Sequence, residues 1–255
     1  MKRTISFMTG KGSVNHNSRK FHAKNTDPER SYLNVEYCNE NIKDVYHELF
    51  DEALARYNEK QTRNDRRIDD YYEKIRAGKQ EKPFHEIILQ IGDRDTMGAE
   101  TEEGRLAAKI LGEYMQDFQR RNPTLRVFSA HLHMDEATPH LHIDFVPYTT
   151  GSKRGTRRET ELNQWVVAEK QQLASIMLEH GIEWAQKGTH EKHLSLLDFE
   201  KQERAKEVSA LEKQKAELEE HNVIMQEVNA KYLDQLENVE KDIFSAQESR
   251  EKADK

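Results

Sequence analysis

The chain has 255 residues, a formal net charge of −7 at pH 7, and nearly equal shares of hydrophobic (35%) and charged (34%) residues. No apolar run approaches the roughly 20 residues that cross a bilayer, and residues 1–13 lack the apolar stretch of a secretory signal, so we expect neither a membrane protein nor a secreted one. Because Cys38 is the only cysteine, an internal disulfide is excluded and a reducing cytoplasm is the expected compartment.

The N-terminal third is predicted to form two strands followed by a helical region. Residues 3–8 and 32–37 have the alternating or β-branched character of strands. Between them, a segment rich in glycine and asparagine carries His16 and Arg19. Across residues 41–77, apolar side chains recur at spacings of three and four, a pattern that predicts helix.

A strand and a helix are predicted next. Residues 84–91 form an apolar, β-rich run that we predict to be a central strand of a sheet. Glu86 is the one acidic residue in this run, and it faces either a metal site or solvent. Residues 100–120 have the apolar face of a helix, which ends at Asn122 and Pro123.

Two further predicted strands, residues 125–133 and 140–147, carry four histidines. Because residues two apart on a strand point to the same face, His140 and His142 share a face. The short connection between the strands brings His133 back beside them. Three imidazoles on one patch can bind a divalent transition metal and leave positions open for a substrate oxygen.

The remaining residues of this segment leave alternatives open. Glu136 is expected to assist the site by orienting a ligand imidazole or by completing the coordination, and Asp135 is a second candidate for either role. His131 shares a face with His133, so either could be the third ligand. The simpler alternative is that these are ordinary core or surface histidines.

A basic loop follows the second histidine strand. Residues 149–158 are rich in glycine, serine and threonine and contain Lys153, Arg154, Arg157 and Arg158. Backbone N–H groups, hydroxyls and cationic side chains together suit the phosphates of a nucleic acid, so this loop is a candidate DNA contact. A solvated basic loop is the alternative.

The C-terminal part has a heptad pattern. A helix is predicted over residues 159–180, and further on one apolar series recurs every seven residues, at Leu211, Leu218, Met225, Tyr232 and Val239. A second series also recurs every seven residues and lies three residues before the first, and it is polar at Lys215, Asn222 and Asn229. The pattern is typical of a dimeric coiled coil, and one long helix packing on the rest of its own chain is the alternative.

These shifts in pattern predict two domains. The first is expected to span residues 1–196 and to hold the histidine site. The second is expected to be a coiled-coil helix over residues 197–255, a piece of a longer helix because the heptads run to the last residue without a capping signal. Most of the net negative charge lies in this second part, so the first can hold local basic patches.

The histidine segment resembles a known motif. Residues 133–142, His-Met-Asp-Glu-Ala-Thr-Pro-His-Leu-His, are similar to the H-x-D-E-x-T-P-H-x-H motif of the Pre/Mob (MobV-type) plasmid mobilisation and recombination relaxases, part of the HUH endonuclease group. A second similarity covers residues 15–19 and 27–34. The resemblance spans about residues 1–195. It implies an α+β fold in which helices cover an antiparallel sheet, with the two metal strands at its centre.

The resemblance also implies an activity: site- and strand-specific nicking and rejoining of bacterial DNA at an origin of transfer, through a covalent 5′-phosphate intermediate. This family uses a histidine nucleophile, at the position that His16 matches here. Arg19 is then a candidate for binding the phosphate or holding His16, and Arg30 is a weaker candidate for contacting DNA. Tyr32 and Tyr37 are the runner-up nucleophiles. The origin DNA would be single-stranded, or a hairpin with duplex.

The family suggests Mn²⁺ or Mg²⁺ as cofactor, and imidazole ligands favour Mn²⁺, Zn²⁺ or Ni²⁺ over Mg²⁺. Two other readings stay open. One is a replication initiator or transposase of the same HUH group with a tyrosine nucleophile. The other is a coiled-coil DNA-binding protein with a structural metal, which would need a closed site, often built from cysteines, whereas Cys38 is alone.

Overall fold

The computed structural model describes residues 1–10, 12–149, 159–186 and 196–253. The chain divides into two compact units, Met1–Gly188 and Thr189–Lys255. The predicted DNA-contacting residues of the basic loop, Lys153, Arg154, Arg157 and Arg158, lie outside the described residues.

The described part of the first unit contains strands and helices in alternation. The strands are β1 (Lys2–Arg3), β2 (Ile5–Thr9), β3 (Val35–Asn39), β4 (His85–Ile91), β5 (Leu125–His133), β6 (His140–Pro147) and β7 (Glu183–Trp184). The helices are α1 (Val14–Asn17), α2 (Ile42–Glu59), α3 (Tyr71–Ala77), α4 (Arg94–Met97), α5 (Glu102–Gln116), α6 (Phe118–Arg121) and α7 (Glu159–Glu179), with 3₁₀ turns at Pro28–Leu33 and Asn64–Arg66.

Five strands form one antiparallel sheet in the order β2-β4-β6-β5-β3. The two histidine strands β5 and β6 are neighbours, and β6 occupies the centre. The predicted α+β fold with an antiparallel sheet is therefore confirmed. A separate pair, β1 with β7, is parallel and only two residues long, and no sequence pattern indicated it.

One face of the sheet packs against helices α5 and α7 and forms the larger hydrophobic core. Leu89, Leu141 and Ile110 are fully buried there, and burying a side chain of this size contributes about 1.5–3 kcal/mol. Helix α5 begins where the Thr101 side chain accepts a hydrogen bond from the backbone N–H of Gly104, which caps the helix. This packing gives the sheet a rigid back.

The other face of the sheet is divided into an apolar end and a polar end. Helices α2 and α3 cover the apolar end, where Tyr46 and Ile75 pack with Phe128 and Val146. A bulge between Val127 and Ser129 turns Phe128 toward this second cluster. The polar end of the face is left to the histidines and carboxylates.

The structure corrects two sequence-based boundaries. Tyr32 lies in the 3₁₀ turn Pro28–Leu33 and not in a strand, because Pro28 at the first position and the Asp27 side chain, which accepts from Glu29 N, start that turn. Strand β3 therefore begins at Val35. The helix predicted over residues 100–120 is interrupted at Asp117, between α5 and α6.

The helical region predicted over residues 41–77 is also two helices rather than one. Helix α2 ends at Glu59, and the Asn58 side chain then bonds both the N–H and the carbonyl of Ile68, which closes a loop. Helix α3 restarts where the Asp70 side chain accepts from the N–H of Glu73.

The second unit is dominated by one helix, α8 (Leu196–Ala253), of 58 residues. The predicted helix is confirmed, and its heptad series is exposed at Leu211 (62%), Leu218 (63%) and Tyr232 (62%). The pairing of this helix with another helix stays a prediction. Among the described helices, none combines the length and the apolar character that a membrane crossing requires.

Candidate active site

The pairing of β5 with β6 brings three predicted metal ligands together. His133 lies opposite His140. The ring centroids of His133 and His142 are 4.6 Å apart, those of His140 and His142 4.9 Å, and those of His133 and His140 5.2 Å. Two imidazoles bound to one metal ion at about 2.1 Å have centroids roughly 4.5–5.5 Å apart, so the ring spacing suits a shared ion. The sets whose ligand atoms lie within 4.8 Å of one another are different ones, and each contains two of these three histidines.

Each of the three imidazoles has one nitrogen held by the protein. Nε2 of His133 donates to the carbonyl of Asn17 (2.8 Å), Nδ1 of His140 donates to the carbonyl of Thr138 (2.8 Å), and Nδ1 of His142 donates to Glu86 (2.7 Å). The opposite nitrogens of His133 and His142 are buried without a hydrogen-bond partner among the described residues. Ligand histidines in proteins are oriented in this way, so the residues fit a metal ion.

Burial also keeps these imidazoles uncharged. It lowers the pKa of His133 to about 2, with the neighbouring histidines adding to the effect. It lowers the pKa of His142 to about 4, against the opposing influence of its bond to Glu86. Because only a neutral imidazole can bind a metal, these residues are in their ligand form at pH 7.

His16 lies on the short helix α1, directly against the ligand patch. Its ring centroid is 5.8 Å from that of His133 and 5.9 Å from that of His142. Burial and the charge of Arg19 lower the pKa of His16, while Glu136 opposes the shift. His16, the nucleophile expected from the sequence, is therefore a neutral imidazole beside the candidate metal ligands His133 and His142.

Arg19 joins α1 to the turn between the two histidine strands. Its guanidinium donates to Asp135 Oδ2 (2.9 Å) and Oδ1 (2.5 Å) and to Glu136 Oε1 (2.9 Å), and its Nη1 lies 3.3 Å from His16 Nε2. Its backbone has φ of 53°, in the left-handed region that a side chain disfavours. Strain of this kind persists where side-chain contacts fix the geometry, as the two carboxylates do here.

Asp135 and Glu136 have different surroundings. Asp135 is fully buried and accepts from Arg19, Ser31 (2.8 Å) and Asn34 (2.7 Å), and these bonds hold its pKa well below the usual range against the effect of burial. Glu136 Oε1 instead lies 3.6 Å from His16 Nε2 and 3.8 Å from His140 Nε2. Asp135 thus holds the segments of Arg19, Ser31 and Asn34 together, whereas Glu136 faces His16 and His140.

Two sets of three side chains place possible ligand atoms within 4.8 Å of one another. One set is His16, His133 and His142, and the other is His133, Glu136 and His140. His133 belongs to both. His131 belongs to neither: it is buried, its ring centroid lies 6.4 Å from that of His133, and its Nδ1 is 3.9 Å from Glu36.

Three buried polar residues next to the candidate ligands were not identified from the sequence: Asn17, Ser129 and Asp144. Asn17 is 2% exposed, and its side-chain amide donates to Glu86 (2.8 Å) and to Asp144 (2.9 Å). Asp144 also accepts from Ser129 (3.0 Å), and burial together with the charge of Glu86 raises its pKa to about 7. Since Asp144 continues the alternation of His140 and His142, spacing alone could have identified it.

Glu86 points inward and not to solvent. It is 3% exposed, and in addition to His142 and Asn17 it accepts from the backbone N–H of Gly12 (2.8 Å). A side chain at Gly10 would collide with this carboxylate, because a Cβ there would overlap Glu86 Oε2. Gly10 and Gly12 therefore both lie close against Glu86.

The runner-up nucleophiles and Arg30 have the following surroundings. Tyr32 is 81% exposed on its 3₁₀ turn. Tyr37 packs against the core on the other face of the sheet, and burial raises its pKa. Arg30 bonds Asp27 (2.8 Å) and the carbonyl of Met134 (3.3 Å), next to the site.

Comparison with known proteins gives a family. Residues 35–201, well over half of the chain, match the family described as plasmid recombination enzyme, Mob_Pre. The chain belongs to this family, so the Pre/Mob family membership that the histidine motif predicted is confirmed. No curated protein matches the chain.

Similar solved structures include two of the MobM relaxase domain (MOBV; Mob_Pre). One is bound to 22 nucleotides of plasmid pMV158 oriT DNA and is Mn-bound; it is 23% identical, with a TM-score of 0.48, and the match covers 79% of this chain and 99% of that one. The other, with 23 nucleotides and also Mn-bound, is 21% identical, with a TM-score of 0.49, covering 80% and 99%.

Proposed function

We propose that this plasmid recombination enzyme nicks and rejoins one DNA strand at an origin of transfer, with a divalent metal ion, while the cut 5′ phosphate is held covalently on His16. The observation that carries the proposal is the position of a neutral His16 ring less than 6 Å from two imidazoles with unpartnered buried nitrogens. Family membership supports DNA as the substrate, and the MobM structures named above contain both oriT DNA and Mn.

The metal would be held by His133, His140 and His142, with Mn²⁺ or Mg²⁺ as the candidate ions. Once bound, it would supply positive charge to the non-bridging oxygens of the scissile phosphate and fix their position. Glu86 keeps the ring of His142 in the orientation that this role requires, since it accepts the Nδ1 proton at 2.7 Å.

His16 would act as the nucleophile. The lone pair of one ring nitrogen forms the N–P bond, and the P–O3′ bond breaks with its electron pair going to the 3′ oxygen, which takes up a proton from water. The attacking nitrogen would be Nε2, because Arg19 Nη1 lies 3.3 Å from it and can only donate to it. The proton lost is then the one on Nδ1, which passes to water, while Glu136 Oε1, 3.6 Å from Nε2, accepts from Arg19 and keeps the guanidinium beside the ring. The product is a phosphoramidate, and rejoining is the same step in reverse.

Arg19 would have two roles in this step. Its charge disfavours protonation of His16, which preserves the lone pair. Its Nη1, 3.3 Å from His16 Nε2, also lies where a phosphate attacked by that ring would arrive. An arginine at this point can stabilise the extra negative charge of the transition state.

A cleavage assay tests the nucleophile. Supercoiled plasmid with a candidate origin is incubated with Mn²⁺ and wild type, His16→Ala or His22→Ala, and the products are run under denaturing conditions with and without protease. His22 is the matched control because it is an exposed histidine on the same segment. Wild type and His22→Ala are expected to nick and to form a protease-sensitive adduct, and His16→Ala to form none. An adduct with His16→Ala would move the nucleophile to another residue, with Tyr32→Phe and Tyr37→Phe tested next.

We also propose that the full-length enzyme is a homodimer held by helix α8. The exposed heptad series supports this, and the polar residues Asn222 and Asn229 at the alternate seam position favour a two-stranded, in-register pairing. Sedimentation equilibrium should give a dimer for wild type and a monomer for Leu218→Glu, whereas Ala216→Glu, at the outward b position of the same heptad, should leave the dimer intact. A monomeric wild type at micromolar concentration would contradict the proposal.

A further inference from the structure

The four histidines around the site include one that the proposed metal site does not use as a ligand. We propose that, in the enzyme without DNA, His16 is itself a ligand of the metal ion, together with His133 and His142, so that the nucleophile is held in the coordination shell until a phosphate oxygen replaces it. This inference rests on the proposed function for the presence of the ion, but not on the identity of the nucleophile.

The distances carry the inference. Possible ligand atoms of His16, His133 and His142 all lie within 4.8 Å of one another. The ring of His16 is 5.8 and 5.9 Å from the other two, within about half an ångström of the spacing expected for imidazoles on one ion. A small shift of the four-residue helix α1 would close that difference.

The buried nitrogens give an independent reason. The free ring nitrogens of His133 and His142 have no hydrogen-bond partner among the described residues, and such buried polar atoms are costly unless something binds them. An ion that satisfies both must lie between their rings, and His16 is within reach of each. His16 can therefore supply a third ligand to that ion from the side that faces α1.

The surroundings of His16 also hold its ring in place. Phe21 packs on it, with centroids 5.8 Å apart, and Arg19 contacts its Nε2 from another side. The His16 side chain retains 23% of its exposure, so an incoming phosphate can reach the ring. A ligand that is held but not enclosed can be displaced by substrate.

The coordination has a functional consequence. A nitrogen bound to a metal ion has no free lone pair, so His16 cannot attack phosphorus while it is a ligand. Replacement by a phosphate oxygen frees the ring at the moment when the target is positioned beside it. His133 and His142 belong both to the set that includes His16 and to the proposed ligand set, so they would hold the ion during the exchange.

The main test is metal affinity without DNA. Isothermal titration with MnCl₂ is carried out on the full chain for wild type, His16→Ala and the exposed control His22→Ala. Loss of a ligand should weaken Mn²⁺ binding by about tenfold or more in His16→Ala, and His22→Ala should bind as wild type does. Equal affinities of wild type and His16→Ala would overturn the inference.

A second measurement needs no variant. Diethyl pyrocarbonate modifies free imidazoles, and peptide mass spectrometry follows His16 and His22 in the wild type with and without Mn²⁺. Mn²⁺ should slow the modification of His16 about fivefold or more, whereas His22 serves as the internal reference and should not change. An unchanged rate at His16 would overturn the inference even if His16→Ala failed to fold.

The outcomes separate this inference from the proposed function. Unchanged metal affinity in His16→Ala, combined with loss of the covalent adduct, rejects His16 as a resting ligand and keeps it as nucleophile. Weaker affinity combined with an adduct that persists supports the ligand role and rejects the nucleophile. Absence of Mn²⁺ binding to wild type would overturn both the ligand role and metal assistance.

Discussion

The substitution Asn17→Ala should destabilise the protein far more than a surface substitution in the same helix. Asn17 gives one side-chain N–H to Glu86 and one to Asp144, at 2.8 and 2.9 Å, and both carboxylates are buried. A hydrogen bond to a charged buried group is worth about 1.5–3 kcal/mol. Two would give roughly 3–6 kcal/mol, but Asp144, with a pKa raised to about 7, can take up a proton and relieve part of the loss.

We therefore expect a loss of about 2–4 kcal/mol in the free energy of unfolding, measured by urea denaturation of the metal-free protein at pH 7. The control is Asn15→Ala, since Asn15 lies on the same helix and is exposed. If the two variants differed by less than about 0.5 kcal/mol, the size of an ordinary surface effect, the assigned role of the Asn17 amide would be refuted.

Two further predictions follow from the carboxylates. Glu86→Gln should weaken Mn²⁺ binding by about tenfold, because His142 loses a charged acceptor, whereas Glu36→Gln on the edge strand β3 should not; calorimetric titration of both variants checks this. Asp135→Asn should cost stability at pH 7, and the difference from wild type should begin to narrow once the pH falls below the ordinary pKa of an aspartate. Because the folded-state pKa of Asp135 is held well below that value, its contribution is complete above the unfolded pKa and is lost progressively as pH falls toward the folded one. Urea denaturation at pH 7, 5 and 3 should give equal differences at pH 7 and 5 and a smaller one at pH 3, and a difference that is larger at pH 3 would contradict the reasoning.

The histidine strands could be predicted because their information is local. The bounds of β5 and β6, Leu125–His133 and His140–Pro147, agree with the predicted ones because alternation and a short turn determine both strands. The same alternation extends to Asp144, which was overlooked although it continues the spacing of His140 and His142.

Contacts between distant segments could not be predicted in this way. Asn17 meets His133 across 116 positions of the chain, and Arg19 meets Asp135 across the same separation. No periodicity relates such pairs, so a sequence can suggest that both belong to one site but cannot indicate which atoms meet. The two-residue strands β1 and β7 were missed for a related reason: they are too short to show a pattern.

The position of His16 depends on contacts with the strands that carry the candidate metal site. Helix α1 has four residues, too few to be stable alone, so tertiary contacts must place it. Three sets of contacts do so. The Asn17 side-chain amide donates to Glu86 and Asp144, and the Asn17 carbonyl accepts from His133. The Arg19 guanidinium donates to Asp135 and Glu136. All end on β4, β5, β6 or the turn between the last two. A variant such as His133→Ala therefore removes a proposed metal ligand and an anchor of the proposed nucleophile together. Loss of nicking in that variant would not distinguish the two effects. His140→Ala can, because His140 is a proposed ligand that makes none of these three contacts and bonds the carbonyl of Thr138 instead.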